Sequence, residues 1–311
     1  MGPRNRVRSA RRDAGLLVGL IFAAVVLPAC GSDHDPGNYV SIGDSYGQGL
    51  QPKSDGVTPD YTNGFAYLVP DKAEQLGWDL QLENFACGGA TVESMTDDPG
   101  CGDIGLSPGG PRYDVPQLAA AIDFLKEHPD HVELITVVIG INDVIPCVWE
   151  ADDQTACVAD AVASLKPHLA DALEDLRAAA GPDTLIVGLS YPNVILGSYV
   201  GDEGPDLAAA SVAVFKDVIN PMLKESYEAV DGIFVDVTAG TGAYTPFTET
   251  TTFAPYGEIP VAVAEVCQLT WFCKGGDVHP TDQGHEAIAD LIVEALPAPP
   301  DPRADQAGQT E

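Results

Sequence analysis

The chain has 311 residues, of which 47 are acidic and 15 are basic, so its formal charge at pH 7 is −32. Because 45% of the residues are hydrophobic, the chain has enough apolar material for one large core, and this excludes a wholly disordered protein. The acidic balance excludes a nucleic-acid-binding protein, since phosphate backbones are bound through lysine and arginine. We interpret the acidity as a solvated, self-repelling surface.

The first 29 residues have the pattern of a signal peptide. Five arginines fall within the first 12 positions, and residues 16–27 form a mostly apolar run that is shorter than the roughly 20 residues of a membrane-spanning helix. The string LPAC at residues 27–30 resembles the lipobox of bacterial lipoproteins, which implies that Cys30 is lipidated and becomes the first mature residue. An ordinary secretory peptide cleaved nearby is the alternative, and it would leave Cys30 as a plain thiol.

These features predict where the protein resides. We expect a secreted protein that is lipid-anchored to the outer face of the bacterial cytoplasmic membrane. Residues 30–38 then consist of the lipidated cysteine and a short flexible tether. In this interpretation the protein contacts the membrane only through the anchor at Cys30.

Apolar and amphipathic stretches alternate along residues 39–297, which we assign to one domain. The predicted strands cover residues 39–42, 80–85, 134–139, 184–189 and 233–237. The predicted helices cover residues 65–76, 115–126, 155–180, 207–230 and 282–296. This repeated alternation predicts a single α/β domain with a parallel five-stranded sheet.

Two stretches interrupt the alternation. Residues 238–276 contain threonine, glycine and aromatic residues with little periodicity. A connection of that length is usually a functional loop or disordered, and we expect the same here. Residues 298–311 have the composition of a disordered tail.

Four short strings carry residues suited to catalysis. GDSYG at residues 43–47 follows the first strand, and ACGGAT at 86–91 follows the second. GIND at 140–143 follows the third strand, and DVHPT at 277–281 precedes the last helix. Open α/β sheets bind ligands beyond the carboxyl ends of their strands, so these strings are expected to converge on one site.

In order, spacing and placement, the four strings resemble those of the SGNH (GDSL) hydrolase family. The six cysteines beyond residue 30 make the chain most similar to the secreted, disulfide-bearing esterases of actinobacteria within that family. The resemblance implies a three-layer, flavodoxin-like α/β fold and hydrolysis of ester bonds, with no cofactor and no metal.

The resemblance also assigns roles to residues. Ser45 is expected to attack the acyl carbon, and His279 to remove its proton and later protonate the leaving alcohol. The oxyanion hole of the family maps to the backbone N–H groups of Ser45 and Gly89 and to the side-chain amide of Asn142.

The partner of His279 is left open by the sequence. The family usually places an aspartate three residues before the histidine, but that position is Gly276 here, and Asp277 comes one place later. Either Asp277 orients His279, or the Gly276 carbonyl does so and leaves a Ser–His dyad, as in some relatives. The spacing favours the carbonyl.

Two competing assignments are weaker. Ser190 follows the fourth predicted strand and is the one rival nucleophile, but it lacks a companion motif. Asp277, His279, Asp282 and His285 lie close enough in sequence to suggest a metal cluster. We prefer His279 as a catalytic base and expect no metal.

The six remaining cysteines predict structural disulfides formed in an oxidising compartment. They allow fifteen pairings, among which the sequence does not choose. Pairing of neighbours, which closes three short loops, is the most attractive: Cys87–Cys101, Cys147–Cys157 and Cys267–Cys273.

The sequence therefore predicts a monomeric serine esterase that acts on a small-molecule, lipid or acylated-glycan ester. Two other functions stay open. A catalytically silent lipoprotein would use the same fold to bind a glycan or lipid, although such a module has no need of all four catalytic groups. An acyltransferase would use the same nucleophile and differ only in its product.

Overall fold

The computed structural model describes residues 35–52, 59–61, 63–102 and 105–299. The predicted signal peptide (1–29) and Cys30 lie outside the described residues, as do residues 300–311 of the predicted tail. The described residues from Pro36 onward form one compact unit. No helix among the described residues is both long and apolar enough to cross a membrane.

The centre of the fold is a parallel β-sheet. The strands are β1 (Gly37–Gly43), β2 (Gln51–Pro52), β3 (Pro59–Asp60), β4 (Leu80–Asn84), β5 (Val132–Val138), β6 (Leu185–Leu189), β7 (Ile233–Val235), β8 (Thr250–Phe253) and β9 (Gly257–Pro260). Five of them form the sheet in the order β4-β1-β5-β6-β7, and every pair is parallel. Nearly every residue of β1 and β5 is buried, since both strands are covered on two faces. The predicted α/β fold with a parallel five-stranded sheet is confirmed.

Helices cover both faces of this sheet. They are α1 (Ser45–Gln48), α2 (Phe65–Glu74), α3 (Val92–Asp97), α4 (Gln117–Glu127), α5 (Ile141–Val144), α6 (Pro146–Glu150), α7 (Gln154–Ala180), α8 (Gly204–Val214), α9 (Asn220–Glu228), α10 (Val237–Gly240), α11 (Val261–Leu269), α12 (Phe272–Gly275) and α13 (Asp282–Ala295). One layer contains α2 packed on α13, and the other contains α4, α7 and α9 side by side. The carboxyl ends of the strands are left for the loops that carry the four strings.

The predicted helix at 207–230 contains an irregular turn. A π-helical segment, Phe215–Ile219, joins α8 to α9. Pro221, in the first turn of α9, has no N–H with which to continue the α-helical pattern. The N–H of Asn220 instead donates to the carbonyl of Phe215, five residues back, and this hydrogen bond closes the wider turn.

Of the two alternatives predicted for residues 238–276, a functional loop or a disordered connection, the disordered one is wrong. This stretch holds most of α10, the β8–β9 hairpin, α11 and α12. The elements other than α11 have four residues each, too few to show a period. Six of the nine residues of α11 are buried, so this helix lacks the polar face that makes an amphipathic helix recognisable.

Residues 37 and 38 of the predicted tether belong to the sheet. β1 begins at Gly37, whose N–H donates to the Asp79 carbonyl at 2.8 Å, and the Asn38 N–H donates to the His131 carbonyl at 2.7 Å. Both residues are paired in the sheet. These two residues are a glycine and a polar residue, so the sequence does not show the apolar pattern by which a strand is recognised.

Three disulfides pair the cysteines that are neighbours in sequence: Cys87–Cys101, Cys147–Cys157 and Cys267–Cys273. They close loops with sequence separations of 14, 10 and 6 residues. Each bridge lies in or next to a loop that carries one of the four strings, so each restricts a segment of the candidate site.

Candidate active site

Ser45 lies at the carboxyl end of β1, in a tightly held turn that we call the nucleophile loop (residues 43–48). Gly43 has a φ of +129°, and a Cβ at this position would collide with the Val138 carbonyl, so the turn requires glycine. The Asp44 N–H donates to the Val138 carbonyl at 3.0 Å. The Asp44 side chain caps α1 by accepting from the Tyr46 N–H at 2.9 Å. Ser45 therefore stands at a fixed point, in the first turn of a helix.

A glutamine from another helix secures the same turn. Gln117, at the start of α4, accepts from the Gly43 N–H at 2.7 Å and donates to the Gly43 carbonyl at 2.9 Å. The side chain is almost completely buried. Sequence reasoning missed this residue, because its position 74 residues from Gly43 gives no local signal.

Ser45, His279 and Asp277 form a continuous line of hydrogen bonds. The Oγ of Ser45 lies 2.9 Å from Nε2 of His279, and Nδ1 of His279 lies 2.8 Å from Oδ1 of Asp277. The Asp277 oxygen also accepts from the backbone N–H of His279 at 2.8 Å. Because a carboxylate only accepts, the proton on Nδ1 faces Asp277 and leaves Nε2 to accept from Ser45.

The structure differs here from the expectation that the Gly276 carbonyl would orient His279. Gly276 ends α12 with a φ of +72°, and its N–H donates to the Phe272 carbonyl at 2.7 Å. The chain then turns so that the Asp277 carboxylate lies under the imidazole. Burial raises the pKa of Asp277, but the hydrogen bonds from His279 and the charge of its ring outweigh this effect and hold that pKa below its usual value.

The three predicted oxyanion donors lie on loops that are hydrogen-bonded to one another. The N–H of Cys87, two residues before Gly89, donates to the Gly43 carbonyl at 2.9 Å, and Nδ2 of Asn142 donates to the Ala90 carbonyl at 2.9 Å. One hydrogen of that amide remains for a ligand. Within the described part of the chain, the N–H groups of Ser45 and Gly89 have no acceptor.

A buried polar network lies beside Ser45 and was not predicted. The hydroxyl of Tyr191, which follows β6, donates to Oδ2 of Asp44 at 2.6 Å. The hydroxyl of Tyr46 donates to the Val278 carbonyl at 2.6 Å. Burial raises the pKa of Asp44 to about 7, although the hydrogen bonds from Tyr191 and Tyr46 and the nearby His279 act in the opposite direction. Asp44 and Tyr46 are part of the GDSYG string, so the signal for both was available in the sequence.

Ser190 does not have the surroundings of a nucleophile. It is buried, and its Oγ lies 3.4 Å from both Oδ1 of Asp236 and Oγ1 of Thr238. These contacts belong to a packed polar network behind the strand ends. The rival assignment therefore has no geometric support.

The residues considered as a metal cluster are engaged separately. His285 is fully buried, accepts from the Phe65 N–H at 3.3 Å through Nδ1, and has its pKa lowered to about 4 by burial. Asp282 accepts from Gln51 and Asn63, at 2.8 and 3.0 Å. Within the ranges that the structure describes, no three His, Cys, Asp or Glu side chains are grouped so as to hold a metal ion.

An apolar cavity of about 80 Å³ lies beside α5, the helix that carries Asn142, but Ser45, Gly89, Asn142 and His279 do not line it. One wall is Ile141, Val144, Ile145 and Val148, which share one face of α5 and α6. The opposite wall comes from α7, α8, the π-helical segment and the turn after β6. The lining is mainly aliphatic, and the cavity suits a small apolar group.

Comparison with known proteins agrees with this architecture. The model of the GDSL-like lipase/acylhydrolase family matches residues 41–287. The extracellular lipase from Streptomyces rimosus superposes with a TM-score of 0.52 at 18% identity, over 84% of this chain and 100% of that chain. Phospholipase A1 from Streptomyces albidoflavus gives a TM-score of 0.50 at 16% identity, over 84% and 100% of the two chains.

These structural likenesses, at low identity, show a shared fold. A search of curated proteins by sequence finds no significant match. The family match spans most of the chain and confirms the family predicted from the four strings. The chain belongs to the GDSL-like lipase/acylhydrolase family and is an esterase- or lipase-type hydrolase of ester bonds.

Proposed function

We propose that this chain is a serine carboxylester hydrolase in which Ser45 is the nucleophile, His279 the general base and Asp277 the carboxylate that orients the base. The observation that carries the proposal is the line of two hydrogen bonds, Ser45 Oγ to His279 Nε2 at 2.9 Å and His279 Nδ1 to Asp277 Oδ1 at 2.8 Å. A serine hydroxyl is a weak nucleophile until an adjacent base accepts its proton, and this line supplies that base in the required tautomer.

The first half of the reaction transfers the acyl group to the enzyme. Ser45 Oγ attacks the ester carbonyl carbon while its proton moves to Nε2 of His279, and the carbonyl oxygen becomes an oxyanion. The N–H groups of Ser45 and Gly89 and the Asn142 amide donate to that oxyanion. The ester C–O bond then breaks, and His279 returns the proton to the departing alcohol.

The second half of the reaction releases the acid. A water molecule attacks the acyl-enzyme carbonyl, and Nε2 of His279 takes one of its protons. The second tetrahedral intermediate uses the same donors. Its collapse breaks the bond to Ser45, whose Oγ recovers the proton from His279, and the carboxylic acid leaves.

We place the acyl chain of the ester in the apolar cavity beside α5, the helix that carries Asn142, and the size of this cavity supports a short chain. An engineered apolar cavity of about 150 Å³ binds benzene, and the cavity here measures about 80 Å³. An acyl group of about four carbons or fewer therefore fits it. Among nitrophenyl esters of increasing chain length, we expect kcat/KM to be highest for such short chains, and a maximum at long chains would contradict this assignment.

We also propose that the enzyme acts outside the cytoplasm as a monomer, anchored to the membrane through a lipid on Cys30. Three disulfides support this location, because they persist in oxidising compartments. Small-molecule, lipid and acylated-glycan esters are accessible to an enzyme at that surface. Fractionation of cells that express the intact chain tests the location.

Labelling with a fluorophosphonate tests the nucleophile. The reagent should modify wild-type protein once, at Ser45, and Ser45→Ala should lose both labelling and esterase activity. Ser190→Ala is the matched control, since it removes the rival hydroxyl and should be labelled as wild type is. Labelling that persists in Ser45→Ala would contradict the proposal. Release of free acid in water, without acylation of an added alcohol, distinguishes a hydrolase from an acyltransferase.

A further inference from the structure

Tyr46 connects the nucleophile loop to the segment that carries His279. It immediately follows Ser45, and its side chain is 4% exposed. Its hydroxyl donates to the carbonyl of Val278, the residue before His279, at 2.6 Å. Its ring centroid lies 6.1 Å from that of His279. The side chain next to the nucleophile therefore holds the backbone next to the base.

The ring of Tyr46 is itself packed against a second tyrosine, Tyr191. The Tyr191 ring packs edge-on against it with centroids 5.1 Å apart and planes at 80°. The Tyr191 hydroxyl donates to the buried Asp44 carboxyl at 2.6 Å. Asp44 also accepts from the Tyr46 N–H. The GDSYG string and Tyr191 thus form one closed network.

The backbone that presents His279 is otherwise held mainly by backbone hydrogen bonds. We call residues 276–281 the histidine loop. Within the described residues, Tyr46 is the one side chain from outside this loop that is hydrogen-bonded to its backbone. The other external restraints on this backbone are backbone bonds, from the N–H groups of Gly276, Trp271, Thr281 and His285 to the carbonyls of Phe272, His279, Leu269 and Thr281 at 2.7, 3.0, 2.8 and 2.9 Å respectively. The Thr281 side chain adds a bond to the Gln268 carbonyl at 3.1 Å.

We propose that Tyr46 is a positioning residue, whose hydroxyl sets the place of His279 relative to Ser45 through the Val278 carbonyl. Tyr191 and Asp44 keep its ring in the required orientation. The inference rests on the proposed role of Ser45 and His279. Packing alone does not explain the hydroxyl, because phenylalanine would fill the same volume. Displacement of a catalytic group by about 1 Å can cost about a hundredfold in rate, so one restraint at this point has a measurable effect.

The test compares Tyr46→Phe with Tyr39→Phe. Tyr39 is also a buried tyrosine at β1, and its hydroxyl bonds to Thr136 Oγ1 at 2.8 Å, away from the histidine loop. Each variant loses one buried hydroxyl. On one soluble ester we expect Tyr46→Phe to lower kcat by about ten- to a hundredfold while KM changes by less than about twofold. Tyr39→Phe should keep the wild-type kcat.

A double-mutant cycle separates positioning from a general loss of structure. If Tyr46 acts by holding His279, its hydroxyl matters less once Asp277→Asn has already disturbed the ring, so the two losses in kcat should not multiply.

Tyr191→Phe is the second variant, and it should lower kcat by about threefold. It keeps the proposal testable if Tyr46→Phe does not fold.

The outcomes are distinct. A wild-type kcat in Tyr46→Phe would overturn the inference, as would equal losses of kcat in Tyr46→Phe and Tyr39→Phe. If Tyr46→Phe does not fold, an unchanged kcat in Tyr191→Phe would overturn it. Failure of wild-type protein to hydrolyse esters or to react with a fluorophosphonate would instead refute the proposed function, on which the inference depends.

Discussion

The nucleophile loop and the histidine loop hold the two ends of one hydrogen bond by different means. The nucleophile loop is buried and is bonded through its backbone to β5 and to Gln117. The histidine loop lies beyond the sheet, and its Asp277 and His279 side chains are 36% and 15% exposed. The sheet therefore fixes Ser45, whereas a few hydrogen bonds fix His279.

This difference predicts how the two loops respond to change. Removing a group from the nucleophile loop disturbs buried hydrogen bonds, and a buried donor or acceptor left without a partner costs about 1–3 kcal/mol of stability. Removing a group from the histidine loop exposes its former hydrogen-bond partners to water, which can replace the lost bond. Substitutions there should lower the rate of catalysis far more than the free energy of unfolding.

The largest expected effect is that of Asp277→Asn. The amide presents a donor to Nδ1 of His279 and favours the wrong tautomer, so we expect kcat/KM to fall by about a thousandfold to ten-thousandfold. Asp282→Asn is the matched control, because this exposed aspartate lies five residues further on and should keep its activity. If kcat/KM of Asp277→Asn stays within about threefold of the wild-type value, the Gly276 carbonyl and not Asp277 orients His279.

The same comparison predicts that two carboxyl groups affect stability in opposite directions with pH. The pKa of Asp44 is raised to about 7 in the folded protein, so its contribution to stability is complete below about pH 4 and is lost as the pH rises toward 7. The pKa of Asp277 is lowered, so its contribution is present above about pH 4 and is lost as the pH falls further. The two groups act in separate pH windows.

Urea unfolding of Asp44→Asn and Asp277→Asn between pH 3 and pH 8 checks this prediction. The free energy of unfolding of Asp44→Asn, relative to that of wild type, should rise by about 4 kcal/mol between pH 4 and pH 8. The difference in free energy of unfolding between Asp277→Asn and wild type should stay constant above pH 4. Below pH 4 the wild type should lose stability relative to the variant. A flat difference for Asp44→Asn over the same range would show that the buried carboxyl does not retain its proton.

Local patterns predicted most of the sheet and the parts of the site attached to it. The strings after β1, β4 and β5 each follow a strand of the sheet, and parallel strands bring their carboxyl ends to one edge. Ser45, Gly89 and Asn142 could therefore be placed together without a structure. Gln117 could not, because its pairing with Gly43 depends on how α4 packs over β1.

The connection before the last helix shows the limit of such patterns. Residues 238–276 fold into short elements and one almost fully buried helix, and neither type produces the periodicity by which elements are recognised. Cys267 and Cys273 belong to this segment, which ends directly before Asp277. Its conformation decides how the histidine loop approaches Ser45.

The sequence by itself determined the α/β class, the family and the nucleophile and base candidates, because each depends on local order along the chain, and it made the neighbour pairing of the cysteines the most attractive of fifteen without choosing it. Only the tertiary structure decided the partner of His279 and the contact between Tyr46 and Val278. The spacing favoured the Gly276 carbonyl, but the path of the backbone after α12 brings the Asp277 carboxylate to Nδ1. That path is set by contacts between residues more than 200 positions apart, such as Tyr46 and Val278, which no local pattern encodes.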